Sequence, residues 1–300
     1  MQYDEVIAAM FVPSPPGAES PATVEASPAR RVRDAIEPIA MHSVWSRGTN
    51  ERLAKLGHDF MTGYVCSRAG LLGDPTPGAV VAAFAVFEPN MLTGAYEAGR
   101  NLCDRDTLLA ARDESTIESL STVLDGIDVE PVAQQLRAAV EAGSGIGRPL
   151  FSGLRDLEWP ESQVGQLWRA SELFREHRGD SHVAACVAAG LDPVEMNILT
   201  ELYVGMAITT YSASRAWPEK ALAAGVERLS DRGFVSDGGL TEAGQAFRDD
   251  LESATDQMQQ PILDALGPNV ESVVEATTKW SQMCIDAKAF PPDVGKRAAG

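Results

Sequence analysis

The stretch "GVERLSDRGFVSDGGLTEAG", Gly225 to Gly244, constrains the chain path more tightly than any other segment. Leu222, Val226 and Leu229 fall on one face of a helix that Pro218 opens. Gly233 ends that helix, because glycine accepts the left-handed conformation at a helix C-terminus. "FVS" and "LT" then flank Asp237-Gly238-Gly239, and Asp-Gly is a favoured tight hairpin turn. Thr241 caps the next helix, where Phe247, Leu251, Ala254 and Met258 recur at helical spacing. The predicted order is helix, turn, two short strands, helix.

The rest of the chain reads as helix. Only 6% of its 300 residues are aromatic, and the Ala-rich texture favours helix over sheet. That length is comfortable for two domains. Cys66, Cys103, Cys186 and Cys284 lie far apart without a CxxC pair, which points to reduced thiols and no zinc knuckle. No apolar run approaches the roughly 20 residues that span a bilayer. The N-terminus carries Asp4 and Glu5 but no Lys or Arg before Arg30, unlike a secretory signal, so a cytoplasmic protein is expected.

Residues 1–27, rich in Pro, Ser and Ala, read as a flexible acidic tail. Ser27 and Pro28 open a helical block, 28–100, which is broken at "LLGDPTPG" and Glu88-Pro89. An acidic connector, 101–158, follows; between 101 and 141 it holds nine carboxylates against three arginines. The second block, 159–290, is expected to break at Gly179 and Asp192-Pro193 and to close with a helix from about Asn269. Residues 291–300 read as a tail. "FMTGYVCSRAGLLGDPTPGAVVAAF" and "ELFREHRGDSHVAACVAAGLDPVEMNIL" share an order of elements that suggests two related modules.

"ARRVRDAIEPI", "GYVCSRAGLLG", "VFEPNML", "RPLF", "LFREHRGDSHVAACVAAGLD" and the Gly225–Met258 stretch recur in an order that resembles the actinobacterial helix-turn-helix proteins with a MarR-like fold, most of them functionally unassigned. The resemblance spans about Ala29 to Gly267. It implies a mainly α fold of two winged-helix modules with a small hairpin wing, joined by a helical segment, and an association with regulators. The chain departs from the family pattern at Ala40 and Glu88, where the family has histidines. Any ligand role of those histidines does not carry over.

Winged helices commonly read DNA, yet this chain carries a formal charge of −18. Duplex affinity comes largely from Lys and Arg neutralising phosphates. Between Arg215 and Asp250 there are five basic and seven acidic residues. On the would-be recognition helix, Lys220 and Arg228, the DNA-binding candidates, each adjoin a glutamate, and the wing tip is Asp237. Charge therefore disfavours DNA as a partner. Arg30, Arg31 and Arg33 form one basic cluster, read as a solvated helix start.

"REHRGDSH" is the densest polar stretch, and Arg175, His177, Arg178 and His182 are its ligand-binding candidates. A helix end at Gly179 capped by Asp180 or Ser181 explains several of these residues without a ligand. His177 and His182, five apart, lack the i, i+4 spacing of a metal helix, so no metal site is expected. Glu37, Trp45, Tyr64, Arg68 and Glu88 complete the candidate set as the lining of a pocket between the modules. Burial of Glu37, Glu88 or Glu176 would raise its pKa into the acid–base range. The leading expectation is a ligand-responsive protein binding a small molecule. The alternative is an enzyme or haem-binding protein using the same pocket. The subunit is expected to be a monomer with an internal pseudo-dimer, or a homodimer through the 269–288 helix.

Overall fold

The computed structural model describes residues 2–24 and 26–299, and the only strands among them are two short ones. The chain opens with α1 (Tyr3–Met10), α2 (Pro28–Ala40), α3 (His42–Trp45), α4 (Arg47–Lys55), α5 (Phe60–Ala69), α6 (Pro77–Phe84) and α7 (Pro89–Gly99). Next come α8 (Arg105–Val123), α9 (Glu130–Val140), α10 (Pro149–Arg155), α11 (Gln163–Ala188), α12 (Pro193–Tyr203) and α13 (Glu219–Asp231). The antiparallel pair β1 (Val235–Ser236) and β2 (Gly239–Leu240) sets Val235 opposite Leu240 and Ser236 opposite Gly239. The chain closes with α14 (Glu242–Leu266), α15 (Val270–Asp286) and α16 (Val294–Ala299).

The local punctuation follows side-chain chemistry. Ser27 accepts a bond from the Arg30 amide with Pro28 in the first helical position, and Thr241 accepts one from the Gly244 amide. At the hairpin tip Asp237 and Gly238 have φ of 51° and 77°, the two positive values that a type I′ turn requires. Gly233, at φ 76°, ends α13.

Three expectations about elements need correction. The helix does not break at Gly179: α11 runs through the whole "REHRGDSH" stretch, so Asp180 and Ser181 start no new helix, Asp180 instead accepting from the Phe151 amide in the first turn of α10, and His177 and His182 share one helix. A mid-helix glycine costs about 1 kcal/mol against alanine, and tertiary packing overrides that preference here. Arg30 and Arg33 are not a solvated helix start, because both are buried; only Arg31 faces outward, against Glu271. Among the described residues no hairpin follows the first helical block, and the one hairpin lies in the second.

The stretch read as an N-terminal tail contains α1, and the Tyr3 hydroxyl donates to the Trp45 carbonyl at 2.7 Å. At the other end, α16 lies where a second tail was expected. Met1, Glu25 and Gly300, which those two readings include, lie outside the described residues. The face of α15 that the sequence leaves open to a partner subunit packs on α2 of the same chain, where the Ser281 hydroxyl donates to the Ala35 carbonyl at 2.5 Å.

The core is continuous across the sequence blocks. Ile36 and Ile39 of α2, Leu120 of α8, Leu136 of α9, Phe151 of α10, Trp168 and Phe174 of α11 and Ile262 of α14 form one buried cluster. The acidic connector presents most of its carboxylates outward, Asp113 turning in to Arg169, and adds Leu120 and Leu136 to the cluster around α11. A second cluster gathers Val65, Val80, Phe84 and Leu92, and a third joins Ile198, Leu222, Leu229 and Leu251 beneath the hairpin. Burying such side chains supplies about 1.5–3 kcal/mol each.

Gly153 on α10 marks the tightest crossing between the first block and the rest. A Cβ there would sit 2.0 Å from the Leu71 carbonyl oxygen. Gly153→Ala is expected to lower unfolding free energy by about 1–3 kcal/mol, read as a lower urea midpoint at unchanged slope.

Candidate functional site

Two adjoining compartments lie where α2, α5, α11, α14 and the 204–218 segment meet. One, of about 170 Å³, is bordered by seven arginines: Arg30, Arg33, Arg68, Arg175, Arg178, Arg215 and Arg248. The other, of about 300 Å³, is mainly apolar and is walled by Val6 and Met10 of α1, Met41, Val44, Trp45, Phe60, Met61 and Phe290. Tyr64, Phe87, Arg175, Tyr211 and Arg215 border both, so the two adjoin along these side chains as the halves of one bipartite site. Gly179 borders the arginine-lined part and is itself exposed; nothing lies within 4 Å of where its Cβ would be.

The polar residues of α11 are held by carboxylates and cations brought from other helices. Arg68 meets Glu176 at 2.7 Å, and Arg175 meets Glu37 at 3.1 Å and Glu176 at 2.9 Å. Arg178 meets Glu252 at 2.6 Å and Asp256 at 2.7 Å, while Arg248 and Arg30 also reach Glu252. Arg33 pairs with Asp34 and Glu37. Arg30 and Arg33 also donate to the Ala298 carbonyl at the end of α16. Deeper in the core, beyond the cavity, Arg112 grips Glu172 at 2.5 Å and stacks over Trp168.

These pairs decide the protonation states. Burial raises the Glu176 carboxyl, but Arg68 and Arg175 outweigh it and hold the group below its ordinary value. Glu252 behaves the same way: burial raises it, and Arg248 and Arg178 bring it well below the usual carboxylate range. Glu88 is also lowered, first by the Met91 amide it caps. The expectation of raised carboxyls therefore fails at Glu88 and Glu176, because the polar partners around them favour the charged form. Asp180 goes the other way: burial pushes it up to about 7, with the negative Glu176 adding to the shift. His182 is pushed down to about 3 by burial and then by Arg248; its ring nitrogens face the Thr255 hydroxyl at 3.1 Å and the Cys186 thiol at 3.5 Å.

Of the residues nominated from sequence, the structure gathers Glu37, Trp45, Tyr64, Arg68, Arg175, Arg178 and His182 around this cavity. It leaves out two. Glu88 caps α7 and bonds Asn90, outside the lining. His177 turns away, edge-on to Phe151 with ring centroids 4.9 Å apart and its Nδ1 3.2 Å from Gln259. Arg30, Arg33, Tyr211, Arg215, Arg248 and Gly179 were not nominated. Their convergence depends on the packing of helices remote in sequence, for which one chain offers no signal.

The second-block surface is a separate matter. On α13 Lys220 is exposed, with Glu219, Glu227 and Asp231 exposed on the same helix. Arg228 is committed to Asp192 at 2.5 Å and Glu195 at 3.4 Å, and Arg232 lies 3.7 Å from Glu195. Between α12 and α13 the chain does not take the usual three- or four-residue turn. Residues 204–218 instead fold back over the cavity, ordered by the buried carboxylate of Glu201, which accepts from the amides of Thr209, Tyr211 and Ser212. Among the described residues no single helix is long and apolar enough to cross a membrane.

The molecule is thus a mainly helical protein in which two consecutive helices, a hairpin and a capped helix adjoin an internal polar cavity. A helix-turn-helix family model matches residues 29–291, and the chain belongs to that family. No curated protein and no solved structure matches it.

Asp180 gives the cavity a pH signature. Its carboxyl is raised in the fold, so its stabilising contribution is complete below the ordinary carboxylate pKa and is lost as pH rises through about 7. Relative to Asp180→Asn, the natural protein should lose roughly 2–4 kcal/mol between pH 4 and pH 8, measured by urea unfolding at both.

Proposed function

We propose that this protein is a ligand-responsive binding protein of MarR-like descent, a transcriptional regulator in its framework but with weakened contacts to DNA. The bipartite site carries the reading. It lies between the first helical block and the second, and its wall includes the connection that leads directly into α13. Such a cavity, mostly pre-formed and lined by aromatic groups with a few convergent charges, has the character of a small-molecule site. The first block takes the packing role that a second subunit takes in MarR-type dimers, and the protein works in the cytoplasm.

Weak DNA contact follows from where the charge sits. Groove-facing arginines must be free to meet phosphate or base edges. Here Arg228 and Arg232 are spent on Asp192 and Glu195, the wing tip is Asp237, and a field of −18 surrounds them. Most of the cavity arginines are turned inward and already paired, so they add nothing to a DNA-facing ridge.

A thermal-shift screen of a metabolite library tests ligand binding, with Gly179→Leu and Glu88→Gln beside the natural protein. A ligand at one hundred times its Kd adds about 2.7 kcal/mol of stability, which is several degrees in Tm. The Gly179→Leu side chain adds bulk at the exposed edge of the arginine-lined part and should weaken the shift without unfolding the protein, while Glu88→Gln should respond as the natural protein does. Hits that shift Gly179→Leu equally would place the ligand elsewhere. On random genomic fragments, no retardation is expected at physiological salt; strong retardation there would restore DNA reading as the main activity.

A further inference from the structure

The arginines around the polar compartment are not all met by carboxylates. Six of the seven named above are ion-paired, sharing the five carboxylates of Asp34, Glu37, Glu176, Glu252 and Asp256. Arg215 is different: among the described residues it meets no carboxylate. Its Nη1 donates to the Ser214 hydroxyl at 2.9 Å, its Nη2 donates to the Tyr211 hydroxyl, and its buried Nε has no partner. Arg215 is part-buried, and its Nε donor, cut off from water without an acceptor, is a polar group that a ligand oxygen would satisfy.

The surroundings of Arg215 say what that partner looks like. Its guanidinium stacks 4.1 Å from the Tyr211 ring centroid and 4.9 Å from that of Phe87, and these two rings belong to both compartments. The fork therefore stands at the junction of the polar space and the apolar one. The apolar space holds on the order of ten water-sized groups and is walled by aromatic rings and by Met10, Met41 and Met61, whose side chains adapt to irregular shapes. A guanidinium that meets no carboxylate matches one negative charge and a planar two-oxygen acceptor.

We propose that the cavity takes an amphipathic organic carboxylate, with its carboxylate on Arg215 and its apolar body between α1, α3 and α5, and that occupancy bears on α13 through the 204–218 connection. The proposal rests on the reading of this cavity as a ligand site. The coupling has a short physical route. Arg215 and Trp217 stand immediately before α13, and both are tied to the 85–88 corner of the first block. The Glu88 amide donates to the Arg215 carbonyl at 3.0 Å, and the Trp217 indole donates to the Val86 carbonyl at 2.9 Å. A carboxylate that draws on Arg215 thus acts on the segment that positions the start of α13.

Decanoate and decanol share an apolar body and differ in charge, so titration calorimetry with both on the full-length protein tests the assignment. Decanoate should bind at least about tenfold more tightly than decanol, the size of one or two charge-assisted hydrogen bonds. Arg215→Gln should remove the preference while leaving decanol binding unchanged, and Arg215→Lys should keep part of it; thermal unfolding of each variant confirms that it is folded. Equal affinity for the two, retention of the preference in Arg215→Gln, or no binding of decanoate would each overturn the carboxylate assignment. Library hits that Gly179→Leu weakens would still uphold the cavity as a ligand site in any of those cases. Hydrogen exchange reads the coupling: decanoate should protect 204–218 and the first turn of α13 more than decanol does, and equal protection would sink that part.

Discussion

The charges that α11 carries into the interior each have to be met by a charge from another helix, and the rest of the arrangement follows from that requirement. Removing one partner of a buried pair leaves an uncompensated ion at a cost of about 3–5 kcal/mol. Glu172 is answered from α8, Glu176 from α5, Arg175 from α2 and Arg178 from α14. Four helices far apart in sequence are thereby fixed in rotation about one axis, because each ion must point at its counterpart. Apolar packing alone tolerates sliding of similar side chains. Hydrogen-bonded ion pairs do not.

The same arrangement explains how a strongly acidic chain can hold a cationic interior. Most carboxylates of the connector and those of α13 lie on the outside, where water solvates them, while arginines converge around the cavity, most of them ion-paired. The outer surface thus repels polyanions, while the interior retains one guanidinium at the junction of a polar and an apolar space. A member of a helix-turn-helix family here carries much of its positive charge around an internal cavity.

How much of this was legible in the sequence depends on the range of the interactions involved. The hairpin with Asp237-Gly238 at its tip, the Thr241 cap, the α13 stop at Gly233 and the start of α15 next to Asn269 are set by neighbours within a few residues. They read correctly. Gly179 did not, since a glycine followed by Asp and Ser looks locally like a helix end, and only the packing around α11 keeps the helix intact. Arg30 and Arg33 misled for a similar reason: their partners Glu252 and the α16 carbonyls lie more than two hundred positions away. For the cavity, residue type gave Tyr64, Arg68 and Arg175, whereas Arg215 lay in a stretch without periodicity and was passed over.

Both ends of the described chain border the cavity. Met10 of α1 and Lys296 of α16 are joined by a bond of 2.6 Å from the lysine Nζ to the methionine carbonyl, and both side chains contribute to the wall of the apolar space. With the Ser14 hydroxyl donating to Asp293 and accepting from the Val294 amide, that clasp joins the two ends by a few hydrogen bonds, far less than holds the α11 network. The meeting of the two ends is thus the least firmly held part of that wall, and whatever fills the apolar space rests against both ends of the described chain at once.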